Sequence, residues 1–134
     1  MSKQKLEFHK NWAILKDGKD YVTGKTWFEC YQFAIELSKK YRRTIRLIPL
    51  VVAKKLFQKD RKFRELMKGY WIWNAEFIFE KDCIREIDGI KLKWILYENM
   101  IASVRSGSGG GSFGAGAGWP SGWDADGLAV FEVI

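Results

Sequence analysis

Between residues 39 and 68 the chain carries Lys39, Lys40, Arg42, Arg43, Arg46, Lys54, Lys55, Lys59, Arg61, Lys62, Arg64 and Lys68, opposed only by Asp60 and Glu65. Ammonium and guanidinium groups at this density suit phosphate. They replace counterions condensed on a polyanion, so the binding they produce weakens steeply with salt. The expected contact set is Lys39, Lys40, Arg42, Arg43, Arg46, Lys55, Lys59 and Lys62. The same run also reads as the solvated face of a lysine-rich helix, which serves solubility alone. The whole-chain charge of +7 hides an asymmetry: residues 1–68 hold a surplus of 11 positive charges, and the remainder a deficit of 4. A charged pole of this kind steers encounters with acidic partners. The sequence therefore predicts a non-enzymatic binding protein whose partner is nucleic acid or another acidic macromolecule.

A second constellation is the stretch SGSGGGSFGAGAGWPSGWDADG, in which nine of the 22 residues from 106 to 127 are glycine. Its first reading is a turn-rich connector. Its second is a cradle, because glycine backbone can fold into nests of N–H groups that hold anions. A nucleotide or other phosphate ligand would then be held, sponge-like, by Arg105, the backbone amides and Trp119 or Trp123. The phosphate-loop signature G-x-x-x-x-G-K-[ST] is missing, and no lysine or arginine follows Arg105. Asp124 and Asp126 before Gly127 read as turn chemistry rather than as a calcium loop.

Catalytic signals are weak. His9 is the only imidazole, no serine sits in a G-x-S-x-G elbow, and Cys30 and Cys83 form no C-x-x-C pair. A closed zinc site needs four ligands of Cys or His type. Neither an enzyme activity nor a cofactor or metal is expected.

The elements that must position these residues follow from local pattern. Asp17-Gly18, flanked by alternating residues, predicts a hairpin with strands at 12–15 and 20–22. Thr26 and Glu29 have the capping-box spacing, so a helix is expected over 27–41 with Cys30, Phe33, Ala34, Leu37 and Tyr41 inward. Residues 43–48 alternate as a strand. Pro49 opens a second helix over 50–68, with Val52, Leu56, Phe63 and Met67 inward. From residue 70 the period becomes two, placing Trp71, Trp73, Phe77 and Phe79 on one face. That stripe is read as core, with a base-stacking platform as the alternative. A second Asp-Gly turn at Asp88-Gly89 completes a three-stranded antiparallel meander.

The expected fold class is α+β: two helices on a mainly antiparallel sheet built from hairpins, with a Gly-rich connection to a C-terminal strand. Residues 1–104 would be the compact domain, 105–127 the loop or linker, and 128–134 a strand pairing with its own sheet or a neighbouring subunit. Strand addition through 128–134 would make a homo-oligomer, an assembly role of the sort viral proteins use. No apolar run reaches the roughly 20 residues that span a bilayer, so no membrane partner and a cytoplasmic location are expected.

Overall fold

The computed structural model describes residues 4–78, 86–94, 102–107, 112–118 and 126–134. They form a mixed α/β fold with three helices and two sheets in which antiparallel pairing predominates. The strands are β1 (Gln4–Phe8), β2 (Trp12–Asp17), β3 (Asp20–Tyr21), β4 (Ile45–Leu47), β5 (Trp71–Ile78), β6 (Glu86–Ile87), β7 (Ile90–Trp94), β8 (Ala102–Gly107), β9 (Gly114–Gly118), β10 (Gly127–Leu128) and β11 (Val130–Val133). The helices are α1 (Trp27–Tyr41), α2 (Leu50–Lys59) and α3 (Arg61–Met67).

The first sheet runs β1-β2-β11-β4, with β3 also on β2. Both faces of this sheet are covered. Ala13, Leu15, Ile45, Leu47, Phe131 and Val133 pack with Trp27, Cys30, Ala34 and Leu37 of α1. Trp12, Ile14 and Val130 pack with Ala53, Phe63 and Met67 of α2 and α3. This two-sided burial is why Trp12, Ala13, Ile14 and Leu15 are consecutively buried instead of alternating. β11 pairs antiparallel with both β2 and β4. Within the expected 128–134 strand, Val130–Val133 would have to leave this sheet before they could add to another chain.

α1 starts as its capping box demands: Glu29 N donates to Thr26 Oγ1 at 3.1 Å, and Thr26 N donates to Glu29 Oε1 at 3.0 Å. The first hairpin differs by one residue from expectation. Asp17 pairs with Asp20, so Gly18 and Lys19 are central, and Gly18 takes φ 64°. The second hairpin has Asp88 at φ 50° and Gly89 at φ 81°, as a type I′ turn requires.

The single helix expected over 50–68 is two. Asp60 breaks it: its backbone is extended, and its Oδ1 accepts from Phe63 N at 3.0 Å to cap α3. The buried face shifts accordingly, to Leu50 and Ala53 in α2 and to Phe63, Leu66 and Met67 in α3, with Val52 and Leu56 half-buried. α2 begins at Pro49, which has no capping side chain, and a strand supplies the cap instead. Leu50 N donates to both carboxylate oxygens of Glu76, at 3.0 and 3.1 Å. Burial pushes the Glu76 carboxyl above its ordinary range, against the lowering effect of its backbone hydrogen bonds. Its ionised form therefore costs folding stability, and that cost disappears as pH falls through the raised value. Glu76→Gln should hold the cap and flatten this acid-side gain in urea titrations. Glu76→Ala should cost about 1–2 kcal/mol, because the buried Leu50 N–H loses its acceptor.

The second sheet runs β10-β5-β8-β9-β7-β6. Among the described residues the expected three-stranded meander is not seen: β5 lies between β8 and β10, while β7 pairs with β6 and, in parallel, with β9. Residues 114–118 of the glycine tract, read as connector, form the inner strand β9. Two glycines of the tract also make room for one residue, Trp71. A Cβ on Gly127 would lie 2.9 Å from Trp71 Cη2, and one on Gly107 would lie 3.0 Å from Trp71 Cβ. Gly127→Ala should therefore destabilise by about 1–3 kcal/mol through overpacking, measured by chemical unfolding.

Both faces of β5 meet core. Trp73 joins the α1-side cluster and Ile72 the opposite one, while Trp71 is half-buried. Phe79 and the Phe77 side chain lie outside the described residues. No helix among the described residues is long and apolar enough to cross a membrane.

Candidate nucleic-acid interface

The break at Asp60 shapes a groove. α2 presents Val52, Lys55, Leu56 and Lys59 at helical spacing, so two apolar side chains form a wall and two ammonium groups its lip. α3 turns away after Asp60 and adds Arg61 and Lys62. Across from them stand Lys10 and Asn11 from the β1–β2 turn, Arg43 from the chain entering β4, Glu132 and Val133 from β11, and Ile134 just after it. The volume of this open groove is about 950 Å³.

Charge in this groove is one-sided. Lys10, Arg43, Lys55, Lys59, Arg61 and Lys62 line it, and among the described residues none of them is in an ion pair. The two carboxylates present are committed elsewhere. Glu132 Oε1 accepts from Arg46 Nε at 2.7 Å. Asp60 Oδ2 accepts from the Trp12 indole N–H at 2.9 Å, while its other oxygen caps α3. Burial alone would raise the Asp60 carboxyl, but hydrogen bonds from Phe63 N, the Trp12 indole and Lys62 N outweigh it and hold the group below its ordinary range. Asp60 is thus ionised and yet occupied. The Arg43 guanidinium also lies 5.4 Å from the Phe8 ring centroid, an arrangement that steadies it at the groove's edge.

Of the expected contact residues, Arg43, Lys55, Lys59 and Lys62 are brought together here. Arg46 stands next to them through Glu132. Lys39, Lys40 and Arg42 do not join the groove, because α1 packs on the opposite face of the first sheet. Lys39 borders a different, apolar groove. Lys40 donates to Gln4 O at 3.4 Å and sits 5.4 Å over the Tyr41 ring. Arg42 ends α1 in a left-handed conformation at φ 56°. Lys10 and Arg61 line the groove although neither is in the expected contact set. Arg61 stood within the basic run, but Lys10 has no local signal and arrives only through the β1–β2 register.

The other constellations are placed as follows. The Arg105 guanidinium lies 4.7 Å over the Trp71 ring. Trp119, Trp123 and Cys83 lie outside the described residues. Burial pushes the Cys30 thiol up to about 12, helped by Glu29 and opposed by Lys25, so it is not a ready nucleophile. Among the described residues no group of three or more His, Cys, Asp or Glu side chains is arranged to hold a metal ion. No protein-family model, no curated protein sequence and no solved structure matches this chain.

Proposed function

We propose that this chain is a non-enzymatic binding protein that holds nucleic acid in the α2–α3 groove. One observation carries the reading: six cations, drawn from three separate stretches of chain, line one groove whose two carboxylate side chains, Asp60 and Glu132, are already hydrogen-bonded. Six cations beside two carboxylates leave a net positive groove, and a polyanion relieves the residual repulsion while releasing its own counterions.

The kind of recognition follows from the lining. Val52, Leu56, Val133 and Ile134 are aliphatic, and among the described residues no aromatic ring lines the groove. Bases would find nothing to stack on, so the contacts are to the sugar-phosphate backbone and carry little sequence preference. Fluorescence anisotropy with labelled DNA and RNA over a salt series tests this. Six phosphate contacts on a duplex give a slope of log affinity against log salt of about −5. A flat salt response, or no binding to either nucleic acid at low salt, overturns the reading.

A further inference from the structure

The groove itself offers no ring to a base, but one stands just beyond its edge. Leu6 and Phe8 of β1 share one face of the first sheet, since side chains two apart on a strand point the same way. Leu6 is buried with α1, whereas Phe8 reaches the last turn of that helix and stays 37% exposed. What meets it there is Tyr41. The two rings pack edge to face with centroids 5.1 Å apart. The Tyr41 hydroxyl also accepts from Leu6 N at 3.2 Å, which ties the aromatic pair to the strand.

Cations collect on these rings. Lys40 Nζ lies 5.4 Å from the Tyr41 centroid, and the Arg43 guanidinium lies 5.4 Å from that of Phe8. Lys40, Arg42 and Arg43 are all exposed, and among the described residues none of the three is in an ion pair. Arg43 belongs to both places, because it lines the groove and rests on Phe8. A phosphodiester strand leaving the groove past Arg43 therefore meets the aromatic pair next. Within a duplex the faces of the bases are covered by their neighbours, so only an unpaired base has a face to offer. Proteins hold such bases by stacking them on aromatic rings or guanidinium planes while nearby cations take the phosphates. We propose that an unpaired base stacks against the Phe8–Arg43 pair, so that the nucleic acid bound here carries a single-stranded stretch. The inference rests on the reading of the groove as a backbone site and names the form of nucleic acid which that site takes. Lys40 and Arg42, which the groove leaves out, become phosphate contacts beside the rings.

Fluorescence anisotropy of the full chain with a labelled oligothymidylate, and with an abasic strand of the same length, tests the stack. Both strands carry the same phosphates, so the groove's share of the binding is common to them. The oligothymidylate should bind at least about fivefold more tightly, the gain that stacking one base provides. Phe8→Leu should remove that gain and leave the salt slope on the abasic strand unchanged. Phe8→Tyr keeps a ring and should retain the gain, which separates stacking from a structural effect of the substitution. Equal affinity for the two strands overturns the inference, and so does a Phe8→Leu chain that still prefers the strand with bases. In either case salt-dependent binding of the abasic strand leaves the groove reading standing. Failure to bind any strand at low salt overturns the groove reading, and the base site with it.

Discussion

Lys55→Glu, Lys59→Glu and Lys62→Glu together should lower affinity for DNA and RNA on the order of a thousandfold near physiological salt. Each lysine lost removes one phosphate contact and about one unit of salt slope, so the slope should shrink from about −5 toward −2 or −3. The replacement carboxylates add repulsion to the loss. A matched control lies in the same stretch of sequence: Lys54 and Lys68 do not line the groove. Lys54→Glu with Lys68→Glu should change affinity by less than about threefold and leave the slope nearly intact. The comparison separates a localised site from a general effect of net charge. If both sets of variants lose binding in proportion to charge, the groove has no special role.

Asp60→Ala should be the most damaging single change near the site, costing about 2–4 kcal/mol in urea unfolding. Two losses combine. The cap of α3 is worth about 1 kcal/mol. The Trp12 indole N–H, buried with its ring, would lose its acceptor at a cost of about 1–3 kcal/mol. Asp60→Asn keeps one acceptor oxygen, enough for Phe63 N or for the Trp12 indole but not for both, and should cost roughly half as much. The pH dependence has a definite sign. The folded Asp60 carboxyl is held below its unfolded value. Its contribution is therefore fully present above the unfolded value and is lost as pH falls through the folded one. Asp60→Asn should remove that part of the acid sensitivity. The variant also tests the groove, because the turn at Asp60 is what separates Lys59 from Arg61 and Lys62.

Local chemistry made parts of this fold legible. Thr26 and Glu29 announced α1 because each satisfies the other's free backbone donor, a pattern complete within four residues. Asp88-Gly89 announced its turn because both positions need positive φ. The Asp60 break was hidden by its setting. Apolar residues recur at helical spacing on both sides of it, and lysines favour helix throughout, so the periodicity masks a cap that needs only one side chain. The glycine tract misled for the opposite reason. Residues with little strand preference form β9 because neighbouring strands supply both ladders, and Gly107 and Gly127 are required by the bulk of Trp71, a residue distant in sequence. The second sheet was illegible on the same grounds, since β7 and β9 pair in parallel across the intervening chain.

The candidate site was half legible. Charge density located Lys55, Lys59 and Lys62, which share one short stretch, and Arg43 close by. It also gathered Lys39, Lys40 and Arg42, which do not line this groove, because composition cannot say which face of a sheet a helix covers. Lys10 lay beyond any local rule. Its place opposite α2 depends on the pairing of Phe8 with Ala13 that sets the β1–β2 turn.

The position of β11 has a consequence for how the chain folds. It fills the slot between β2 and β4, so its contacts with Trp12, Ala13 and Ile14 join the most widely separated parts of the described chain. Closing so large a loop is entropically slow, and native contacts of this range lower folding rates. Until that strand arrives, β2 presents an open hydrogen-bonding edge bearing some of the most apolar residues in the molecule. The unfinished form is therefore the one most prone to clump, and refolding yields should fall with protein concentration well before native stability does.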